Sequence, residues 1–436
     1  MKENGFRKHL SISSMLEVCR KNFDAIPDAK KSRSDITLSE CLMSGLALFG
    51  LKYPSLLQFD QGMNDETIRY NLRSLYGIQR APSDTWFRER LDEVKPEQIR
   101  KPFKSIFSAI QRGKALENFR FIDGSYLLSV DGTGYFYSDS IHCDQCCEKH
   151  HRDGSISYYH QMLGAVLVHP DLRHVLPLAP EPILKQDGVK KNDCERNAAK
   201  RLLHDLRREH PHLKLTVIED GLASNVPHIQ TLRKLNMNFI LGAKEGDHAF
   251  LFDWVNKSEV TWHEKTDRKG NHYKFRFINQ VPLNESNLDY NVNFLEVWET
   301  SPKGRIKHFS WVTDFTLTRT NIYQIMRGGR ARWKIENETF NTLKNQGYHF
   351  EHNFGHGKKH LSTVMAHLML LAFLIDQVQA LVCLQFQQAV EASKSRKRFW
   401  IRVRSVFTEM YVESWDDIYL AFINGRKIPT LTPNTS

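Results

Sequence analysis

Between Tyr126 and Gly242 the chain alternates short apolar, β-branched runs with amphipathic helical segments, and this rhythm restricts the fold more than any other feature. Tyr126–Val130 reads as a buried strand ending on Asp131-Gly132-Thr133-Gly134. Further strands are expected over Tyr158–His169, Val175–Ile183, Leu213–Ile218 and Asn238–Gly242. Asp193–His210 is expected to be a helix because Ala198, Leu202, Leu203 and Leu206 share one face, and a second helix falls around Val226–Leu235. Three strands, a helix, a strand, a helix and a strand specify an α/β structure in which helices cover a mixed sheet.

The flanks have a different character. Residues 1–118 read as an all-α domain, with apolar positions at helical spacing through Ser39–Leu51, Thr67–Leu75 and Ser83–Val94, and Ser83 placed to cap the last of these. Its many Arg and Lys suit either a DNA-gripping domain or a plain packing domain; no helix-turn-helix signature is visible. Residues 247–314 return to alternating, aromatic-rich β patterning and read as a β-rich insertion. It interrupts a core formed by 119–246 and 315–385, whose second part holds a long helix or helix pair over Asn321–Asn345. The most apolar stretch, 363–383, contains His367, Asp376, Gln377 and Gln379, so it is expected as a buried helix and not as a membrane span. Residues 386–436 form a basic C-terminal segment.

A formal charge of +11 favours polyanionic partners, since neutralising phosphates releases counterions. The seven cysteines are odd in number and three fall within five positions, which excludes a disulfide framework and suits a reducing compartment. The first ten residues lack the apolar core of a signal peptide, so the expected location is the cytoplasm.

Three acidic residues stand at telling points: Asp131 ends the first strand, Asp220 follows Leu215–Glu219, and Glu336 lies on the late helix. Carboxylates at the ends of neighbouring strands, joined by one from a helix packed across them, can converge on a pair of hard cations such as Mg²⁺ or Mn²⁺. Two such ions activate an attacking oxygen and stabilise the leaving one in phosphodiester displacement. Each residue has an ordinary alternative. Asp131 can be a turn residue, Glu219 can replace Asp220, and Glu336 can be a helix-surface charge.

Residues 128–134 (Leu-Ser-Val-Asp-Gly-Thr-Gly), 218–222 (Ile-Glu-Asp-Gly-Leu) and 332–344 (Arg-Trp-Lys-Ile-Glu-Asn-Glu-Thr-Phe-Asn-Thr-Leu-Lys) resemble the three catalytic blocks of bacterial insertion-sequence DDE transposases. The likeness spans about 120–380 and is narrower for the cut-and-paste group that carries a β-strand insertion before its last acidic residue. It implies an RNase H-like catalytic core, metal-dependent DNA cleavage and strand transfer by Asp131, Asp220 and Glu336, a hairpin or direct joining route, and a homodimer on paired transposon ends. That group carries a Tyr-x2-Arg-x3-Glu-x6-Lys signature, of which Arg332 and Glu336 keep the central spacing and Trp333 suits the pattern. By resemblance Arg332 and Lys344 contact double-stranded DNA near the cut, which their charge also fits. Two positions depart from the signature: Gly329 stands in place of Tyr, and Lys344 lies one residue too far along. An extra residue within Glu-Asn-Glu-Thr-Phe explains the shift and leaves Glu338 as a rival to Glu336. Two other readings share this sequence: an RNase H-like nuclease without strand transfer, and an inactive, transposase-derived DNA-binding protein.

A second cluster lies between the first two strands. Cys143-x2-Cys146 followed by His150 and His151 supplies four ligands for a structural zinc, with His160 or Cys194 able to join through folding; the alternative is a polar turn with free thiols. His356, between Gly355 and Gly357, suits a turn before the last buried helix or a DNA contact. Trp262, Trp298 and Trp311 of the insertion suit either core packing or stacking on a flipped base.

Overall fold

Thr37, Ser55 and Asp65 each turn the chain into a helix by accepting the backbone N–H three residues on. In the computed structural model, which describes residues 9–28, 35–185 and 194–425, the N-terminal part is accordingly helical. It comprises α1 (Ile12–Asp24), α2 (Leu38–Gly50), α3 (Leu56–Gln61), α4 (Glu66–Tyr76), α5 (Asp84–Asp92) and α6 (Arg100–Arg112). Ser83 occupies the N-cap of α5 without a side-chain cap; the Asp60 carboxylate takes the Asp84 N–H instead, at 3.0 Å.

The central sheet is built around β1 (Tyr126–Ser138), whose first five residues are buried, as a continuous apolar run requires of a strand covered on both faces. β2 (Cys147–His150) and β3 (Ile156–Val168) follow it, and β3 pairs antiparallel with β1 so that Asp131 faces Gly164. The third expected strand is broken into β4 (Leu176–Pro177) and β5 (Glu181–Ile183), both on β3. Pro177, Pro180 and Pro182 have no N–H to sustain one ladder, which accounts for the break. Helix α7 (Glu195–Glu209) leads to β6 (Leu215–Glu219), parallel to β1, and α8 (Val226–Lys234) leads to β7 (Asn238–Gly242), parallel to β6. The expected helix began at Asp193, which lies outside the described residues.

The β-rich insertion begins with a helix, α9 (Ala249–Lys257), which the reading of 247–314 as β throughout did not foresee; Leu251, Phe252 and Val255 give it one buried face. Its strands β8 (Thr261–Thr266), β9 (His272–Pro282), β10 (Asn291–Thr300) and β11 (Ile306–Thr313) are antiparallel. β11 pairs with β7, Ile240 facing Thr313, so the insertion extends the core sheet. The strand order is β2-β3-β1-β6-β7-β11-β10-β9-β8.

After α10 (Ile322–Arg330) the chain forms a π-helical turn over Ile335–Phe340, then α11 (Asn341–Asn345) and α12 (Leu361–Val382). Helix α12 is long and apolar enough to cross a membrane, yet its most apolar window is wholly buried within the fold. Three of its polar residues are tied to other elements: Asp376 meets Lys52 Nζ at 2.7 Å, Gln377 accepts the Val175 N–H, and Gln379 donates to the Leu10 carbonyl. Helices α1, α2, α5 and α6 pack on α12, and β4 touches it from the sheet side. A Cβ on Gly45 of α2 would sit 2.7 Å from Leu368, so glycine sets the closeness of that crossing. The basic C-terminal segment folds back as α13 (Leu384–Ala392), α14 (Arg396–Glu409) and α15 (Trp415–Asn424), with Phe399 and Trp400 buried.

Candidate active site and metal-ligating cluster

Asp131 does not end its strand as expected, because β1 continues along β3 to Ser138; its parallel pairing with β6, however, stops at Ser129 and Ile218, and the residues just beyond open a notch between the two strands. Asp131 and Asp220 occupy that notch and line one cleft of about 470 Å³. Asp131 Oδ1 accepts the Gly132 N–H at 2.9 Å, and Asp220 Oδ1 accepts the Leu222 N–H at 3.0 Å, which orients each carboxylate by its own backbone. Gly242 on β7 allows the Asp220 turn to pass, since a Cβ there would lie 3.1 Å from the Gly221 nitrogen.

The π-helical turn lies across β1 and β3. Ser129 Oγ donates to the Arg332 carbonyl at 3.0 Å, and a Cβ on Gly164 would press on the Phe340 ring at 3.0 Å. A π turn widens the helix by one residue. It therefore accommodates the extra residue inferred between Glu336 and Lys344. Three residues before it, Arg332 sends Nη1 to bridge Asp131 Oδ2 and Glu336 Oε1, both at 2.9 Å. Glu336 thus joins Asp131 through Arg332, whereas it does not line the cleft that Asp131 shares with Asp220. Glu338 has Lys334 and His174 as its charged neighbours.

Burial pushes the Asp131 carboxyl up to about 7, with Arg332 opposing the rise and Glu336 adding to it. Glu219, the rival to Asp220, is committed elsewhere: its Oε2 meets His228 Nε2 at 2.6 Å, both side chains buried. A residue that sequence reasoning missed also lines the cleft. Glu195, at the start of α7, brings its carboxyl against Gly132, where a Cβ would lie 2.8 Å from Glu195 Cδ. Burial, then Asp220 and Glu219, raise its pKa. In the sequence an acid in a helix's first turn signals only a favourable dipole contact, so nothing marked it.

Trp333 is half exposed, and the Arg332 guanidinium lies 5.1 Å from the centre of its ring. Lys344 reaches Glu351 at 2.7 Å and lines a groove with Tyr137, Lys149, Tyr159 and Gln161. The absence of Tyr at Gly329 has a packing cause: a Cβ there would lie 2.6 Å from Trp311 Cε2. Trp311 is therefore core, while Trp262 stacks on Trp298 at 5.8 Å and stays half exposed.

The cysteine cluster folds differently from its expected form. His150 is exposed beside Glu148 and His151 binds Ser157, so neither faces the thiols. Cys194 is exposed, and Cys147 turns its Sγ toward the Ile183 carbonyl at 3.6 Å. The residues that converge are Cys143, Cys146, His160 and His356, all buried, with one ligand atom from each within 4.8 Å of the others; they can bind a metal such as zinc. His160 joins from β3 as allowed for, and His356, read only as a turn residue or DNA contact, lies in that turn and faces inward. Contact with Cys146, then the two imidazoles, holds the Cys143 thiol well below its ordinary value, while Cys146 is pushed up by the same contact and by burial.

A scan against protein-family models finds none that matches the chain, and a search of curated proteins likewise finds no match. The geometry has to carry the functional reading. The cleft offers the oriented carboxylates of Asp131 and Asp220, with Arg332 bound to Asp131, while Lys344 lines a separate groove.

Proposed function

We propose that the chain is a DDE transposase that cleaves and joins DNA at the ends of an insertion sequence, on an RNase H-like core with a β-strand insertion. The observation that carries this reading is that Asp131, within β1, and Asp220, just after β6, share one cleft where the parallel pairing of these strands stops, with Glu336 tied to Asp131 through Arg332. The order β3-β1-β6-β7, antiparallel at first and parallel after, with helices between β6 and its neighbours, agrees with an RNase H-like sheet.

Asp131, Asp220 and Glu336 suit hard cations by their donor type, Asp131 and Asp220 are fixed by backbone bonds, and Glu195 adds a carboxylate to the cleft that the two aspartates line. A pair of Mg²⁺ or Mn²⁺ ions, when bound, supplies activation of the attacking oxygen and stabilisation of the leaving one. The protein's own part is positioning. Arg332 and Lys344 offer cations to phosphates, Trp333 offers a face for stacking, and the Asp131 and Asp220 bonds keep both carboxylates oriented. No nucleophilic side chain is required. Two chains bound to two transposon ends complete the working assembly.

The test uses the full chain with DNA that carries the sequences flanking its reading frame. The expected result is metal-dependent nicking at the element ends followed by joined products, with Asp131→Ala abolishing cleavage while end binding persists. Hydrolysis without joined products would leave a nuclease. Cleavage that survives Asp131→Ala would overturn the site.

A further inference from the structure

We propose that Cys143, Cys146, His160 and His356 hold a structural Zn²⁺ that clamps the loop behind the Glu336 helix onto the β1–β3 hairpin. Four of the six distances between donor atoms match a tetrahedron, and the other two lie within 4.8 Å. Zn–S bonds of about 2.3 Å and Zn–N bonds of about 2.0–2.1 Å at tetrahedral angles put sulfurs roughly 3.8 Å apart and sulfur and nitrogen roughly 3.6 Å apart. Here Sγ of Cys143 and Cys146 are 3.8 Å apart, and His160 Nε2 lies 3.5 Å from one and 3.4 Å from the other. His356 Nε2 lies 3.4 Å from Cys146 Sγ. Two thiolates with two imidazoles favour zinc over the hard cations, and four protein donors leave no open position for substrate, so the site is structural.

The surroundings fit the same ion. The Cys-x2-Cys segment is a tight turn in which the Cys146 N–H donates to the Cys143 carbonyl and the Cys143 N–H points at Cys146 Sγ, which aims both thiols one way. Tyr135 stacks on His160 at 5.7 Å and Phe136 lies against His356 at 4.2 Å, closing off water. Nε2 of both imidazoles is turned to the thiols, so two thiols and two imidazoles crowd their lone pairs into one buried point, a cost that a dication at that point offsets.

The clamp has a definite target. His356 lies between α11, which carries Lys344, and α12, some 210 residues from Cys146 in sequence. The far end of the same loop is already held, because the Asp92 carboxylate accepts the N–H groups of Lys358, Lys359, His360 and Leu361. Zinc at His356, two residues before Lys358, ties this anchored stretch to the β1–β3 hairpin, and it does so whether or not the cleft acts on DNA.

The test is metal analysis and X-ray absorption on the full-length protein purified without chelator. One zinc per chain with two sulfur and two nitrogen ligands is expected, lost in Cys146→Ser and in His356→Ala but kept in His150→Ala and His151→Ala. If the first two variants fold poorly, the absorption spectrum of the unmodified protein decides the ligand set by itself. Absence of zinc, a Cys143–Cys146 disulfide, or loss of metal in His150→Ala or His151→Ala overturns the site. Hydrogen exchange tests the clamp: chelation should speed exchange at residues 354–357 by roughly tenfold or more. Unchanged exchange there refutes the clamping role.

Discussion

Replacing Arg332 asks whether one guanidinium holds two candidate catalytic carboxylates together. Its Nη1 lies 2.9 Å from Asp131 Oδ2 and 2.9 Å from Glu336 Oε1, so these oxygens are separated by at most twice that distance. Two negative charges so placed repel by roughly 3 kcal/mol at an effective dielectric near 20, and solvent around the partly exposed Glu336 trims this to about 2–3 kcal/mol. Burial already pushes Asp131 up to about 7 while Arg332 opposes it. In Arg332→Gln that opposition is gone, so the carboxyl keeps its proton to a higher pH. A cation entering below that pKa has to displace the proton; above it, the cation meets bare carboxylates and no fixed positive charge. Full-length Arg332→Gln should therefore bind Mn²⁺ more weakly than the parent near about pH 6 and more tightly near about pH 9, by roughly tenfold or more at the alkaline end. Electron paramagnetic resonance titration of free Mn²⁺ reads both affinities. DNA cleavage should fall at every pH, because the phosphate contact is lost. Mn²⁺ affinity that follows the parent at both pH values would refute the shared-charge reasoning.

Other perturbations test separate parts of the molecule. Glu195→Gln should weaken Mn²⁺ binding and cleavage while DNA binding holds; unaltered Mn²⁺ binding would remove Glu195 from the cation site. Lys52→Met strands the buried Asp376 and should cost about 3–5 kcal/mol in urea unfolding, whereas Lys52→Met with Asp376→Leu should recover most of it. Equal losses in the single and double variants would mean the pair is not coupled. His228 works against burial, yet Glu219 holds its pKa above the ordinary value. The pair's stabilisation should be complete below about pH 6.5 and fade as pH rises through the raised value. The stability gap between the parent and His228→Asn should narrow over that range, and a gap that widens with pH would contradict the assignment.

Local chemistry along the chain determined a good part of this architecture. The alternation of apolar runs and amphipathic segments specified β1, β3, α7, β6, α8 and β7, because side-chain periodicity records which face of an element is covered. Asp131 and Asp220 were legible because each follows a recognisable apolar run, although β1 continues past Asp131 to Ser138. Asp376 and its polar neighbours already argued that 361–382 is a core helix, since unpaired polar groups do not sit in lipid. Folding decided the rest. Proline split one expected strand, and a helix opened the insertion before its strands extended the sheet along β7. Only packing of α7 against β3 and β5 brings Glu195 to Gly132, and the π turn that carries Glu336 was not legible in the sequence. The metal ligands show the limit most clearly. His150 and His151 were near in sequence, but the strand they follow carries them away from the thiols, and His356 arrives across some 210 residues. Spacing rules register neighbours along the chain; which distant side chains meet depends on how a whole core closes, and no local pattern carries that information.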